Sequence, residues 1–256
     1  MWPFDRSSKD AAPARPQRVQ LSRRPAVIYA VGDVHGCLDD LARLQSRIVQ
    51  DAARSSGEKL IIMLGDYIDR GPRSAQTLDF LMGAAPAGMQ RICLRGNHEA
   101  AFLQVLQRPG RSDDWLSWGG GETLQSYGID AIAFARASSR LRGQMLHSSV
   151  PEEHRQFMHD LPLMVTIDNL AFVHAGIRPG LPLAAQEDED LLWIREPFLG
   201  TAHKLGIRVF HGHTPALEPV VLPYRVCVDT LAYGGGTLTA ARIDAQGGLT
   251  FLQSTP

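Results

Sequence analysis

Short apolar runs punctuate this chain, and five of them end in an acid, an amide or a histidine beside glycine. Val27–Val31 leads into Gly32-Asp33-Val34-His35-Gly36, and Leu60–Leu64 into Gly65-Asp66-Tyr67-Ile68-Asp69-Arg70-Gly71. Arg91–Leu94, mostly apolar, leads into Gly96-Asn97-His98-Glu99; Leu170–Val173 leads into His174-Ala175-Gly176; Ile207–Phe210 leads into His211-Gly212-His213-Thr214. Unbroken apolar runs of this length suit strands buried on both faces of a sheet. A carboxylate at the end of such a strand is costly unless it is paired or bound to metal. Ligands bind α/β sheets at the carboxyl ends of the strands, so the repeated signature points to one shared site.

Between the first three runs the period changes to that of a helix. Leu38, Leu41, Leu44, Ile48 and Ala52 form one apolar stripe. Pro72 opens a second helix with Thr77, Leu78 and Leu81 inward and a stop near Gly83, and Phe102, Leu103 and Leu106 form a third that runs to Pro109. Strand–helix alternation predicts parallel strands with right-handed crossovers. Residues 111–161 break this rhythm with Trp115, Trp118 and Gly119-Gly120-Gly121, then resume helical periodicity, so they read as a helical insertion bordering the site. Within it, Ser149, Pro151 and Glu152 read as a capping box that starts a helix. From Pro162 onward the pattern is of short strands. Asp168-Asn169 is a hairpin turn, Gly180–Asp190 a loop whose acidic run is a solvated turn, and the half as a whole is expected to be antiparallel. Residues 1–25, rich in Pro, Arg, Ser and Ala, read as a mobile tail, and 26–256 as one catalytic domain.

Composition narrows the function. The chain has 256 residues, 44% of them apolar, and a net charge of −1. That suits a soluble globular domain with no global attraction to nucleic acid or to an anionic membrane. Cys37, Cys93 and Cys227 are too sparse for a disulfide framework. The N-terminus lacks a signal-peptide core and no run is long enough to span a bilayer, so the expected location is the cytoplasm.

Asp33, His35, Asp66, Asn97, His174 and His213 offer mixed oxygen and imidazole donors, which suit divalent manganese, iron or zinc. Six such residues exceed the needs of one tetrahedral ion. Two ions about 3.5–4 Å apart, sharing one carboxylate, would use them all.

The three motifs around Asp33, Asp66 and Asn97, with His174 and Gly212-His213-Thr214 downstream, resemble the signature of the phosphoprotein phosphatase family within the calcineurin-like metallophosphoesterases. The resemblance runs from about Ala26 to Ile243, and Leu191–Glu196 and His211–Pro215 are similar to its bacterial and bacteriophage members. It implies an α/β (by some schemes α+β) fold of four layers, a central β-sandwich flanked by helices. It puts Asp33, His35 and Asp66 on one metal and Asp66, Asn97, His174 and His213 on the other, with manganese the first choice and iron or zinc the alternatives. His98 is then the general acid, Asp69 orients it, and Arg70 and Arg195, with Asn97, bind phosphate, while His211 is not at a ligand position and either supports the ligands from behind or is structural. The implied reaction is in-line hydrolysis of a phosphomonoester by water activated between the ions. The expected substrate is phosphoserine or phosphothreonine in a protein, or a phosphorylated small molecule. A neighbouring branch hydrolyses symmetric dinucleoside tetraphosphates and typically lacks the Asp69-Arg70 pair, which favours the protein phosphatase here. The alternatives are that nucleotide hydrolase and, in another class, a noncatalytic phosphate-binding module. Nothing in the sequence sets the oligomeric state.

Overall fold

The computed structural model describes residues 18–255. Two mixed sheets form the centre. In one, β2 (Val27–Val31), β3 (Lys59–Met63) and β4 (Gln90–Cys93) run parallel, and β10 (Thr239–Asp244) and β11 (Leu249–Gln253) extend the sheet antiparallel beyond β2. The other has the order β1 (Arg18–Leu21), β5 (Met164–Ile167), β6 (Leu170–Val173), β7 (Arg208–His211), β9 (Arg225–Cys227), β8 (Val220–Val221).

The two-sided burial read from the apolar runs follows from this layering. Alternate residues of β2 and β3 (Ile28, Ala30, Leu60, Ile62) face the second sheet and meet Phe172, Phe210 and Val226 between the sheets. The intervening Val27, Tyr29, Ile61 and Met63 face outward to the helices. The second sheet likewise buries Ala171, Val173 and Val209 beneath Leu191, Leu192 and Phe198. The result is a β-sandwich flanked by helices.

Helix α1 (Leu38–Ala52) buries Leu41, Leu44, Ile48 and Ala52, the stripe read from the sequence. Each of its larger side chains contributes roughly 1.5–3 kcal/mol by leaving water. Helix α2 (Ser74–Met82) starts just after Pro72 and ends at Gly83, and α3 (Asn97–Gln107) begins at the third motif. Residues 109–160 are helical: α4 (Asp113–Trp115), a π turn over Leu116–Gly120, α5 (Gly121–Ser126), α6 (Ala131–Arg136), α7 (Ser139–Ser149) and α8 (Glu152–Asp160). No helix among the described residues is long and apolar enough to cross a membrane.

Four expectations need correcting. Residues 1–17 of the expected tail lie outside the described residues, but Arg18–Leu21 is a strand pairing parallel with β5, and its Val19 and Leu21 pack on the core between the sheets. The second half is not uniformly antiparallel. β5 and β6 form the expected hairpin, whereas β6–β7 and β7–β9 are parallel. The connection from β6 to β7 carries α9 (Asp188–Trp193) across the outer face and so returns the chain in the same direction. That helix also replaces the solvated acidic turn. Asp188, Glu189 and Asp190 sit in its first turn, where acids are favoured, and Asp190 accepts from Arg178 Nε at 2.7 Å. Finally, Ser149 ends α7 rather than capping α8, because Val150 and Pro151 are extended between the two helices.

Candidate active site

The carboxyl ends of β2, β3, β4, β6 and β7 converge, bringing the five motifs together from both sheets. Asp66 Oδ1 lies 3.4 Å from His174 Nε2, Asn97 Oδ1 lies 2.9 Å from His213 Nδ1, and the His213 N–H donates to Asp33 Oδ2 at 3.0 Å. The backbone here is strained. His35, Asp66, Asp69, Arg70 and His213 all adopt left-handed φ values, between 45° and 70°. Such conformations cost about 1–3 kcal/mol each and persist only where the surroundings fix them. Crowding adds to this at Gly96, where a Cβ would lie 2.1 Å from Asp66 Oδ1.

Glu99 does much of the fixing, a role the sequence reading did not give it. Its carboxylate is fully buried and accepts the N–H groups of Asp66, Tyr67, Ile68 and Gly96 at 2.7–3.3 Å. Burial and the charge of Asp66 push its carboxyl upward, and these N–H donors act against that push.

The donor set fits divalent cations. His35 Nδ1 lies 2.8 Å from the Ile68 carbonyl and His174 Nδ1 lies 2.9 Å from the Leu64 carbonyl. A carbonyl only accepts, so both rings carry their proton on Nδ1 and turn the Nε2 lone pair inward. Burial holds His35 and His213 neutral, down at about 3, and lowers His174 as well. The inward lone pairs face oxygens: His174 Nε2 is 2.7 Å from Asn97 Oδ1, and His35 Nε2 is 3.5 Å from Asp66 Oδ2. Lone pairs that converge in this way suit ligands grouped around a shared cation. His213 Nε2 is buried with no hydrogen-bond partner. Asp33 is pushed well above the ordinary carboxylate range by burial and by the charges of Asp229 and Asp66. Burial works upward on Asp66 too, but the neighbouring histidines in their charged forms, His174 foremost and then His98 and His35, work against it and hold its carboxyl low. By distance, Asp66 belongs to two donor groups, one with His35 and His98 and one with His174 and His213, each within 4.8 Å.

His98 has a second engagement, because its Nδ1 lies 2.7 Å from Asp69 Oδ2. Asp69 is fully buried and takes further bonds from Trp115 Nε1 at 2.8 Å and Thr123 Oγ1 at 2.6 Å. Burial lowers His98, but the Asp66 and Asp69 carboxylates more than compensate and its pKa is raised. Arg70 Nη2 lies 3.3 Å from His98 Nε2, and its guanidinium stacks 4.4 Å over the Tyr233 ring. Arg195 reaches from the end of α9 toward the carbonyl of His213, 3.4 Å away. His211 is fully buried and turned away, with Nδ1 on the Gly212 carbonyl and Nε2 on Arg225.

These groups surround a cavity of about 240 Å³ with Asp33, Asp66, Asn97 and His213 on its floor. Arg70, His98 and Arg195 line its sides, with Trp118 and Trp193, whose rings meet edge to face at 5.3 Å. A larger groove of about 610 Å³ lies between α2 and α8 with Arg91, Ile92 and Cys93 of β4 along it, and none of the five motifs reaches it.

The sequence reading missed Trp193, Tyr233 and Asp229. A signal existed for Asp229, because the run Val226-Cys227-Val228 ends in an acid as the other site strands do. Trp193 and Tyr233 carried none, since an aromatic near a motif is as easily core.

A family model described as calcineurin-like phosphoesterase matches residues 26–238. A symmetrical bis(5'-nucleosyl)-tetraphosphatase of Pseudomonas fluorescens strain Pf-5 is 31% identical over 153 residues, 59% of this chain and 42% of that protein. The chain thus spans less than half the length of that relative. The asymmetrical bis(5'-nucleosyl)-tetraphosphatase PrpE of Oceanobacillus iheyensis is 23% identical over 235 residues, 84% of this chain and 88% of the relative. A crystal structure described as a candidate diadenosine tetraphosphatase superposes with a TM-score of 0.65 at 19% identity, covering 93% of this chain and 98% of the other.

Proposed function

This chain belongs to the calcineurin-like phosphoesterase family, whose members use divalent metals, and from that premise we propose that it hydrolyses dinucleoside tetraphosphates. Two ions are assigned as the sequence reading placed them. Asp33, His35 and Asp66 would hold one, and Asp66, Asn97, His174 and His213 would hold the other. When bound, the ions supply Lewis-acid activation of water and of the phosphoryl oxygens. The remaining work falls to the protein's own side chains. Arg70 and Arg195 bind the non-bridging oxygens of the polyphosphate and offset the charge that develops on them. His98, held by Asp69, gives its Nε2 proton to the departing oxygen.

The observation that carries the substrate class is the aromatic wall. Trp118 is 38% exposed and, with Trp193, lines the same small cavity as the two arginines. A base can stack there while the phosphates lie over the floor. A phosphoserine side chain has no use for such a surface. The names of the relatives support the same class, and the earlier preference for a protein phosphatase gives way to it. A second reading, a phosphoserine or phosphothreonine phosphatase, is favoured by one observation, the intact Asp69–His98 pair. A serine alkoxide needs strong protonation on leaving, whereas a nucleotide phosphate needs little.

The test compares kcat/KM for diadenosine tetraphosphate and a phosphoserine peptide with the same manganese. The dinucleotide is expected to be preferred at least tenfold, and Trp118→Ala and Trp193→Ala to raise its KM by about 5- to 100-fold, the range of one lost base–aromatic stack. A tenfold preference for the peptide, with KM unmoved in both variants, would make the phosphatase the better reading.

A further inference from the structure

We propose that Trp115 and Thr123 are positioning residues for the reaction, a two-donor clamp through which the helical insertion holds the Asp69 carboxylate and thereby aims His98. The proposal rests on the reading of His98 as the general acid.

Asp69 has no contact with solvent, and both of its oxygens are hydrogen-bonded. Oδ2 faces both His98 Nδ1 and Trp115 Nε1, at 2.7 and 2.8 Å. Oδ1 accepts from Thr123 Oγ1 at 2.6 Å. A carboxylate bonded to a histidine alone can rotate about χ2 and carry the ring with it. Here the indole N–H occupies the second lone pair of the very oxygen that binds His98, and the threonine hydroxyl fixes the other oxygen. Rotation in either direction breaks a charge-assisted hydrogen bond in a buried site, where such bonds are strong.

The clamp extends to the backbone. Asp69 and Arg70 both sit in the left-handed region, at φ 70° and 68°, and need external support. The N–H of Asp69 donates to Thr123 Oγ1 at 2.9 Å and to Ser74 Oγ at 3.0 Å, and the N–H of Arg70 donates to the Gly119 carbonyl at 3.0 Å. Gly119 is itself required, since at φ 103° a Cβ there would lie 2.8 Å from Arg70 N. Residues 115–123 thus wrap the Asp69-Arg70 dipeptide on one side while Trp118 from the same segment faces the cavity. Trp115 is anchored in turn by stacking on Phe102, with centroids 4.9 Å apart. It does not line the cavity, and its one polar contact with the site is the bond to Asp69, while its ring packs beneath Gly120.

The experiment uses the full chain and a series of aryl phosphates of graded leaving-group basicity, with metal content measured for every variant. His98→Asn is the reference, and its loss should grow with the basicity of the leaving group. Thr123→Val removes the hydroxyl with almost no change of volume, Thr123→Ser keeps it, and Trp115→Phe removes the indole N–H. Trp115→Phe and Thr123→Val are expected to lower kcat about 10- to 100-fold for the most basic leaving group and less than about threefold for nitrophenolate, with KM unchanged. Thr123→Ser should restore most of the loss. If His98→Asn shows the graded loss while Thr123→Val and Trp115→Phe lose equally across the series, or lose nothing, the clamp is refuted and the acid stands. If His98→Asn itself loses equally across the series, the acid role falls and the clamp with it.

Discussion

Glu99 shows how much a single residue away from the reacting atoms can decide. Its carboxylate gathers four backbone N–H groups from two motifs, and one of them belongs to Asp66, the residue shared by both donor groups. Replacing it by glutamine keeps the shape but turns an amide NH2 toward those donors. A buried donor left without a partner costs about 1–3 kcal/mol. For a chain of this size that is roughly 2–12 °C in melting temperature. Glu99→Gln should therefore melt that much lower and bind manganese more weakly, because the left-handed turn at Asp66 loses its support. A variant that melts like the wild type and holds manganese equally well would show that Glu99 is dispensable. No pattern in the sequence separates this role from that of an ordinary first-turn acid, since only Gly96 is local and the other three partners lie 31–33 positions away.

At the scale of elements, what the sequence made legible is what local pattern controls. The strand ends were readable because an apolar run followed by Gly-Asp or Gly-His is a local event. Helix α1 was readable because its stripe lies within fifteen residues. Strand direction in the second sheet was not, because β6–β7 pairing depends on a crossover more than thirty residues long. Nor was the hold of the insertion on Asp69, which spans 46 and 54 positions. The link between α1 and the first sheet is another nonlocal feature, and it makes a pH prediction. Asp51, at the end of α1, accepts from the Tyr29 hydroxyl of β2 at 2.6 Å and from Arg242 Nε of β10 at 2.7 Å. Burial alone would raise its pKa, but these two donors outweigh burial and hold it low. A carboxyl with a depressed folded pKa stabilises above its unfolded value, about 3.9, and that contribution is lost as pH falls through the folded value. Asp51→Asn should therefore be less stable than wild type at pH 7, by urea denaturation, and the gap should close as the pH falls below the ordinary carboxylate range. A gap of constant size across that range would mean that the charge of Asp51 contributes nothing.

The whole molecule is built on two sheets, five of whose strands end at one place, and the donor set is divided between them. Asp33, Asp66 and Asn97 follow β2, β3 and β4 of the first sheet, while His174 and His213 follow β6 and β7 of the second. Without a cation the junction carries like charges in a dry setting. Asp33 is driven upward by burial and by its acidic neighbours, and His213 Nε2 has no partner. Divalent ions would relieve both and join the sheets across the site, so metal should act on the stability of the entire domain and not on turnover alone. The magnitude follows from linkage. A ligand that binds only the folded state adds about 2.7 kcal/mol at one hundred times its dissociation constant. That corresponds to roughly 5–11 °C for a domain of this length. Manganese added to chelator-treated protein should raise the melting temperature by that amount, with one cooperative transition before and after. Asp66→Asn removes the residue common to both donor groups and should abolish the shift while leaving the transition cooperative. Trp118→Ala, which alters only the aromatic wall, should keep the shift in full. A melting temperature indifferent to manganese in the wild type, or a shift of equal size in Asp66→Asn, would mean that the two sheets are not joined through this donor set.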